Sequence, residues 1–120
     1  MPNPIVHWEI GSPDAAKAKE FYVKAFGWQT TDAGPEYTLV APVGEGLGGG
    51  IMQTRPGMPA YVTFYIQVDD LDAKLAELTD LGGRTVVPPT PISPAASFAM
   101  FSDPSGNVVG LLCQTMQETG

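Results

Sequence analysis

The chain repeats itself, and a repeat of this size constrains the fold before any single motif does, because neither copy can bury its apolar face alone. Setting Ile10 on Ile66 and Asp14 on Asp70, an offset of 56, lays Val6-His7-Trp8-Glu9-Ile10 on Val62-Thr63-Phe64-Tyr65-Ile66. In each copy an acidic residue four positions past the strand opens an amphipathic helix. Further along, the sequences match best at an offset of 61, which lays residues 42–53 (PVGEGLGGGIMQ) on 103–114 (DPSGNVVGLLCQ). The inserted residues fall in or near the proline-rich stretch 88–94.

Residues 5–10 alternate as a strand with two unlike faces. Val6, Trp8 and Ile10 form one, and Ile5, His7 and Glu9 the other. In the second copy Val62, Phe64, Ile66 and Val68 oppose Tyr61, Thr63, Tyr65 and Gln67. The first face of each pair suits packing beneath a helix, whereas the second mixes polar and aromatic groups, as a ligand-lined sheet surface does.

Helix one is expected to start with Ser12 as N-cap, Pro13 in the first turn and Asp14 set against the helix dipole. Ala18, Phe21, Tyr22 and Ala25 then recur at helical spacing and Gly27 ends it. Helix two begins at Asp69-Asp70, runs through Leu71, Leu75, Leu78 and Leu81, and stops at Gly82-Gly83. Three short strand-like runs follow each helix, at 28–31, 37–41 and 49–54, then at 84–87, 98–102 and 108–115. The turn Asp103-Pro104-Ser105-Gly106-Asn107 puts proline where φ is near −65° and glycine where φ is free to be positive. The expectation is one α+β domain over 1–120, with module one at about 4–55 and module two at about 60–115. These tandem βαβββ modules would form a cupped mixed β-sheet with helices on the outer face and a cleft within.

Bulk properties narrow the partners. A chain of 120 residues, 43% hydrophobic and 16% charged, is that of a globular domain with a single core. A net charge of −7 disfavours phosphate backbones and anionic lipid, so nucleic-acid and membrane binding are not expected. Cys113 is the one cysteine, which excludes an internal disulfide and zinc sites built on thiolate pairs. With no basic start in residues 1–8 and no run of roughly 18 apolar residues, a cytoplasmic location is expected.

The pattern resembles the vicinal oxygen chelate superfamily of glyoxalases, bleomycin-resistance proteins and extradiol dioxygenases, especially its small glyoxalase-like branch. The resemblance is carried by Val6-His7-Trp8-Glu9-Ile10 with Asp14, by Glu20-Phe21-Tyr22 and by Phe26-Gly27-Trp28. In the second copy Val68-Asp69-Asp70-Leu71-Asp72, Leu81-Gly82-Gly83 and residues 103–107 carry it, so that it spans residues 4–114. It implies the fold above, a small-molecule ligand and a homodimer.

The resemblance also implies a divalent metal held at four positions, which in this sequence fall on His7, Thr63, Gly49 and Gly110. Glycine offers no donor and a neutral threonine hydroxyl is a poor one, so no tightly bound metal is expected. Glu9, two residues along on the face of His7, leaves open a weak divalent site. His7 and Glu9 are the candidate catalytic residues, each with a structural alternative as a satisfied or solvent-facing group. Tyr61, Thr63 and Tyr65 share the matching face, and Gln53 and Gln114 share the parity of Gly49 and Gly110. Together with His7 and Glu9 they form the expected ligand-binding set. Cys113 has the opposite parity and is expected to pack against a helix. The preferred reading is a binder of a small organic molecule without a catalytic metal. The alternative is a metal-dependent lyase or dioxygenase with an altered site around His7 and Glu9.

Overall fold

Each copy of the repeat folds as strand, helix and three strands in the computed structural model, which describes residues 2–114. The first contains β1 (Ile5–Ser12), α1 (Ala15–Phe26), β2 (Thr30–Asp32), β3 (Tyr37–Val40) and β4 (Gly49–Gln53). The second contains β5 (Tyr61–Gln67), α2 (Leu71–Asp80), β6 (Arg84–Ser93), β7 (Ala96–Ser102) and β8 (Val108–Gln114). This is the expected α+β arrangement of tandem βαβββ modules; Thr115, expected at the end of the last strand, lies outside the described residues.

The chain packs as two units, one of Val6–Phe64 and one that joins the first residues to the segment from Tyr65 onward. The division falls inside β5 for a local reason. The Tyr61 side chain is bonded to β1, which ties the start of β5 to the first unit, whereas the Gln67 N–H donates to the Pro4 carbonyl at 2.9 Å and ties residue 4 to the second. In the first unit the strand order is β2-β3-β4-β1, with β1 and β4 parallel and the other pairs antiparallel. In the second it is β5-β8-β7-β6, with β5 and β8 parallel.

Both helices begin alike. The Asp14 carboxylate accepts from the Lys17 N–H at 3.1 Å, and the Asp70 carboxylate from the Ala73 N–H at 3.0 Å. Asp14, not Ser12, is therefore the N-cap of α1, and the Ser12 hydroxyl instead accepts from the Asp14 N–H at 3.0 Å. Pro13 therefore precedes the cap and does not lie in the first turn. Gly27 ends α1 at φ 72°, a left-handed conformation that glycine adopts without strain.

Register corrects the repeat. Glu9 pairs with Gly50 and Tyr65 with Gly110, so with the opening strands offset by 56 the closing strands superpose at 60 rather than 61. Matching glycines and glutamines favoured 61, but hydrogen-bond pairing decides which side chains share a face, and a slip of one exchanges the faces. Gly50 and Met52 therefore accompany His7 and Glu9. Gly49, Ile51 and Gln53 turn to the side of α1.

β6 runs on to Ser93 through Pro88, Pro89 and Pro91, with irregular register against β7. It is the last strand of its order, where a missing N–H costs least. The second unit has the denser core, formed by Val68, Leu71, Leu75, Ala99, Phe101 and Leu111. In the first unit Ile51 is fully buried, and an aromatic group joins the strands to α1, with Trp28 stacked on Tyr22 at 5.2 Å and against Trp8 at 5.1 Å. The apolar face of β5 suits packing beneath a helix, yet Val62 on that face is 77% exposed.

Candidate functional site

Period two along β1 puts His7 and Glu9 on one face of the first unit. Glu9 is 4% exposed, and a carboxylate so deeply buried persists only with donors on its oxygens. Two tyrosines supply them. The Tyr37 hydroxyl donates to Oε1 at 3.0 Å and the Tyr61 hydroxyl to Oε2 at 2.6 Å. Because the single Tyr37 proton is directed at Glu9, the Tyr37 oxygen accepts from His7 Nε2, 2.9 Å away. That bond assigns the proton of a neutral imidazole to Nε2. Burial pushes the His7 pKa below its ordinary 6.5, against a smaller opposing pull from the Glu9 charge, and the ring is neutral at pH 7.

Glycines seat these rings. A methyl group on Gly50 would overlap the Tyr37 ring and hydroxyl, and one on Gly11 would overlap the Tyr61 ring. In the second unit a methyl on Gly110 would meet the Tyr65 ring in the same way. Glycine at Gly50 and Gly110 thus does more than omit a metal donor: it leaves the volume that a tyrosine occupies.

The metal positions implied by the resemblance become His7, Thr63, Gly50 and Gly110 once register is corrected. These residues do not fit a four-donor divalent site. Both Glu9 oxygens are engaged by tyrosine hydroxyls, and no group of three histidine, cysteine, aspartate or glutamate side chains able to hold an ion occurs among the described residues.

Of the expected ligand-binding residues, the fold joins His7, Glu9 and Tyr61 directly. Thr63, two residues from Tyr61 on β5, is buried. Gln53 is placed elsewhere: its Oε1 accepts from the Ala15 N–H at 3.0 Å and its Nε2 donates to the Pro13 carbonyl at 2.6 Å, at the start of α1. Cys113, its counterpart at the offset of 60, likewise directs Sγ to the Asp69 carbonyl at 3.4 Å before α2. Tyr65 and Gln114 belong to the second unit, with Gln114 exposed at the end of β8. Sequence reasoning missed Tyr37 and Met52, whose sulfur lies 3.5 Å from the Tyr61 hydroxyl. Register was the missing information, since Tyr37 pairs with Met52 across β3 and β4.

Beside His7 opens a depression of about 420 Å³. Val6, Leu39, Val40, Ala41 and Pro42 supply its apolar lining, Gly48 and Gly49 add backbone, and His7 and Thr31 are its polar side chains. The depression is open to solvent rather than enclosed, and its lining is mostly apolar, as small-molecule sites commonly are.

Known proteins share this construction. The profile of the Glyoxalase/Bleomycin resistance protein/Dioxygenase superfamily matches residues 4–111. CFP32 of Mycobacterium bovis, provisionally named a glyoxylase, is 32% identical over 112 residues, which cover 86% of this chain and 42% of that protein. The anthracycline biosynthesis protein DnrV of Streptomyces peucetius is 30% identical over 117 residues, with 82% and 42% covered. The chain thus spans about two fifths of the length of these curated relatives. The structure of Streptomyces coelicolor methylmalonyl-CoA epimerase in complex with 2-nitronate-propionyl-CoA superposes with a TM-score of 0.71 at 15% identity, over the whole of both chains, a likeness of fold. The duplicated βαβββ architecture and the profile match over nearly the whole described chain place this protein in the Glyoxalase/Bleomycin resistance protein/Dioxygenase superfamily.

Proposed function

We propose that the chain binds a small organic molecule in the depression beside His7, without a tightly bound catalytic metal. The observation that supports this most is the commitment of Glu9. A carboxylate that accepts two tyrosine hydroxyls has its oxygens turned to structure, and it steadies His7 through Tyr37. His7 then acts as the oriented polar group at an apolar hollow, with Leu39 and Pro42 supplying contact area. One relative carries anthracycline biosynthesis in its name, and the epimerase of like fold is in complex with 2-nitronate-propionyl-CoA.

The alternative, a metal-dependent lyase or dioxygenase around His7 and Glu9, is separated by two measurements. Metal analysis of the purified protein is expected to find far less than one equivalent of nickel, zinc, iron or manganese. A thermal-shift screen of apolar organic compounds is expected to yield binders that raise the melting temperature. Leu39→Asp should weaken them by at least about tenfold, or about 1.4 kcal/mol. One equivalent of metal, lost in His7→Ala, would overturn the proposal in favour of the alternative.

Homodimer formation is part of the same proposal, supported by apolar side chains left at the surface, with Phe21 and Phe26 on α1 each 63% exposed. A cytoplasmic setting is supported by the lone Cys113. No helix among the described residues is long and apolar enough to cross a membrane.

A further inference from the structure

No acidic side chain lines the depression beside His7 among the described residues. No lysine or arginine lines it among the described residues. Lys17, Lys19 and Lys24 lie on α1, Lys74 lies on α2, Arg84 begins β6, and Arg55 lines a separate depression with Glu36 and Gln53. Asp32 follows the lining residue Thr31 on β2 and so turns to the opposite face, where Lys19 Nζ meets it at 3.7 Å. That ion pair brings no cation to the hollow. The carboxylates remain on the other side of the account: Glu9 bonded through Tyr37 to His7, and Glu45 on the turn closed by the Gly46 N–H and the Val43 carbonyl at 2.9 Å. The loop that carries this turn joins Ala41 and Pro42 to Gly48 and Gly49, all of which line the hollow.

We infer that the site selects neutral or cationic apolar molecules and rejects anions, including acyl-CoA thioesters and other phosphate- or carboxylate-bearing conjugates. This rests on the binding reading above and supplies the ligand class that reading leaves open. An anion entering the hollow loses hydration next to apolar side chains and meets no cation there, while the loop that joins its lining residues carries the acidic Glu45. A neutral or ammonium-bearing molecule of the same shape escapes those costs.

A matched series tests it by isothermal titration calorimetry on the whole chain: naphthylmethanol, naphthylmethylamine, naphthoate and coenzyme A. The alcohol and the amine are expected to bind, with naphthoate and coenzyme A weaker by at least about tenfold. Glu45→Lys, a change on an exposed turn, should raise naphthoate affinity by about threefold at low ionic strength, and molar salt should erase the gain. Naphthoate or coenzyme A binding as tightly as the alcohol would overturn the charge selectivity while leaving the binding reading in place. A naphthoate-to-alcohol ratio unchanged in Glu45→Lys would also overturn it. If none of the four binds, the binding reading fails and the selectivity fails with it.

Discussion

Glu9 is the residue to which the polar face of the first unit is tied. Its burial is tolerated because each oxygen has a phenolic donor, and the shorter bond, 2.6 Å from Tyr61, is the stronger candidate for removal. Tyr61→Phe is expected to cost about 2 kcal/mol in urea unfolding, the usual range for a hydrogen bond to a charged group. A loss below about 0.5 kcal/mol would show that Glu9 does not depend on that hydroxyl. His7 brings a pH dependence of known sign. Its folded pKa lies below the ordinary 6.5 because burial disfavours the imidazolium, so the unfolded chain takes up the proton more readily. The contribution is therefore complete above the unfolded value and declines as pH falls from 6.5 towards the lower folded value. Urea midpoints measured between about pH 7 and pH 5 should fall, and His7→Gln should flatten that part of the curve. A steeper fall in the variant would refute the assignment. That His7 and Glu9 share one face of β1, and Tyr61 and Thr63 one face of β5, was legible in the sequence because alternation along a strand needs no knowledge of its neighbours. Tyr37 was not, because only pairing between β3, β4 and β1 brings its hydroxyl to Glu9.

Elements show the same division between local and non-local information. The acidic N-caps at Asp14 and Asp70 are local devices, and the repeat exposed both even though the cap of α1 sits two residues later than Ser12. Asp70→Ala should destabilise the fold by about 1 kcal/mol through the lost bond to the Ala73 N–H. Gly50 is a non-local device. Alanine there would collide with Tyr37, so Gly50→Ala is expected to cost about 1–3 kcal/mol by overpacking and to displace Tyr37 from Glu9. A crystal structure of the variant with the Tyr37–Glu9 bond intact would contradict this. The sequence showed three glycines in a row at 48–50 but not that Gly49 underlies the Trp8 ring and Gly50 the Tyr37 ring, since that follows from parity set by the partner strand.

At the scale of the molecule, exposed apolar surface is the feature to be explained. Among the described residues α1 has none buried, and Val62 stands out on β5. If these surfaces are covered by a second copy, light scattering after gel filtration should give twice the chain mass, and Val62→Asp should return it to the monomer value. A monomer at all micromolar concentrations would refute the dimer. Membership of the superfamily rests on the order and spacing of motifs from residue 4 onward, and that order was legible because duplication repeats it.

The linear chain by itself determined the βαβββ repeat, the acidic residue that opens each helix and the alternating faces of β1, because each depends on residues close in sequence. Only the tertiary structure decided that Gly50 rather than Gly49 lies beneath Tyr37, that Gln53 closes onto α1, and that Glu9 shares its charge with two tyrosines. Those outcomes depend on strand register, and register is settled by hydrogen bonds between segments some forty residues apart.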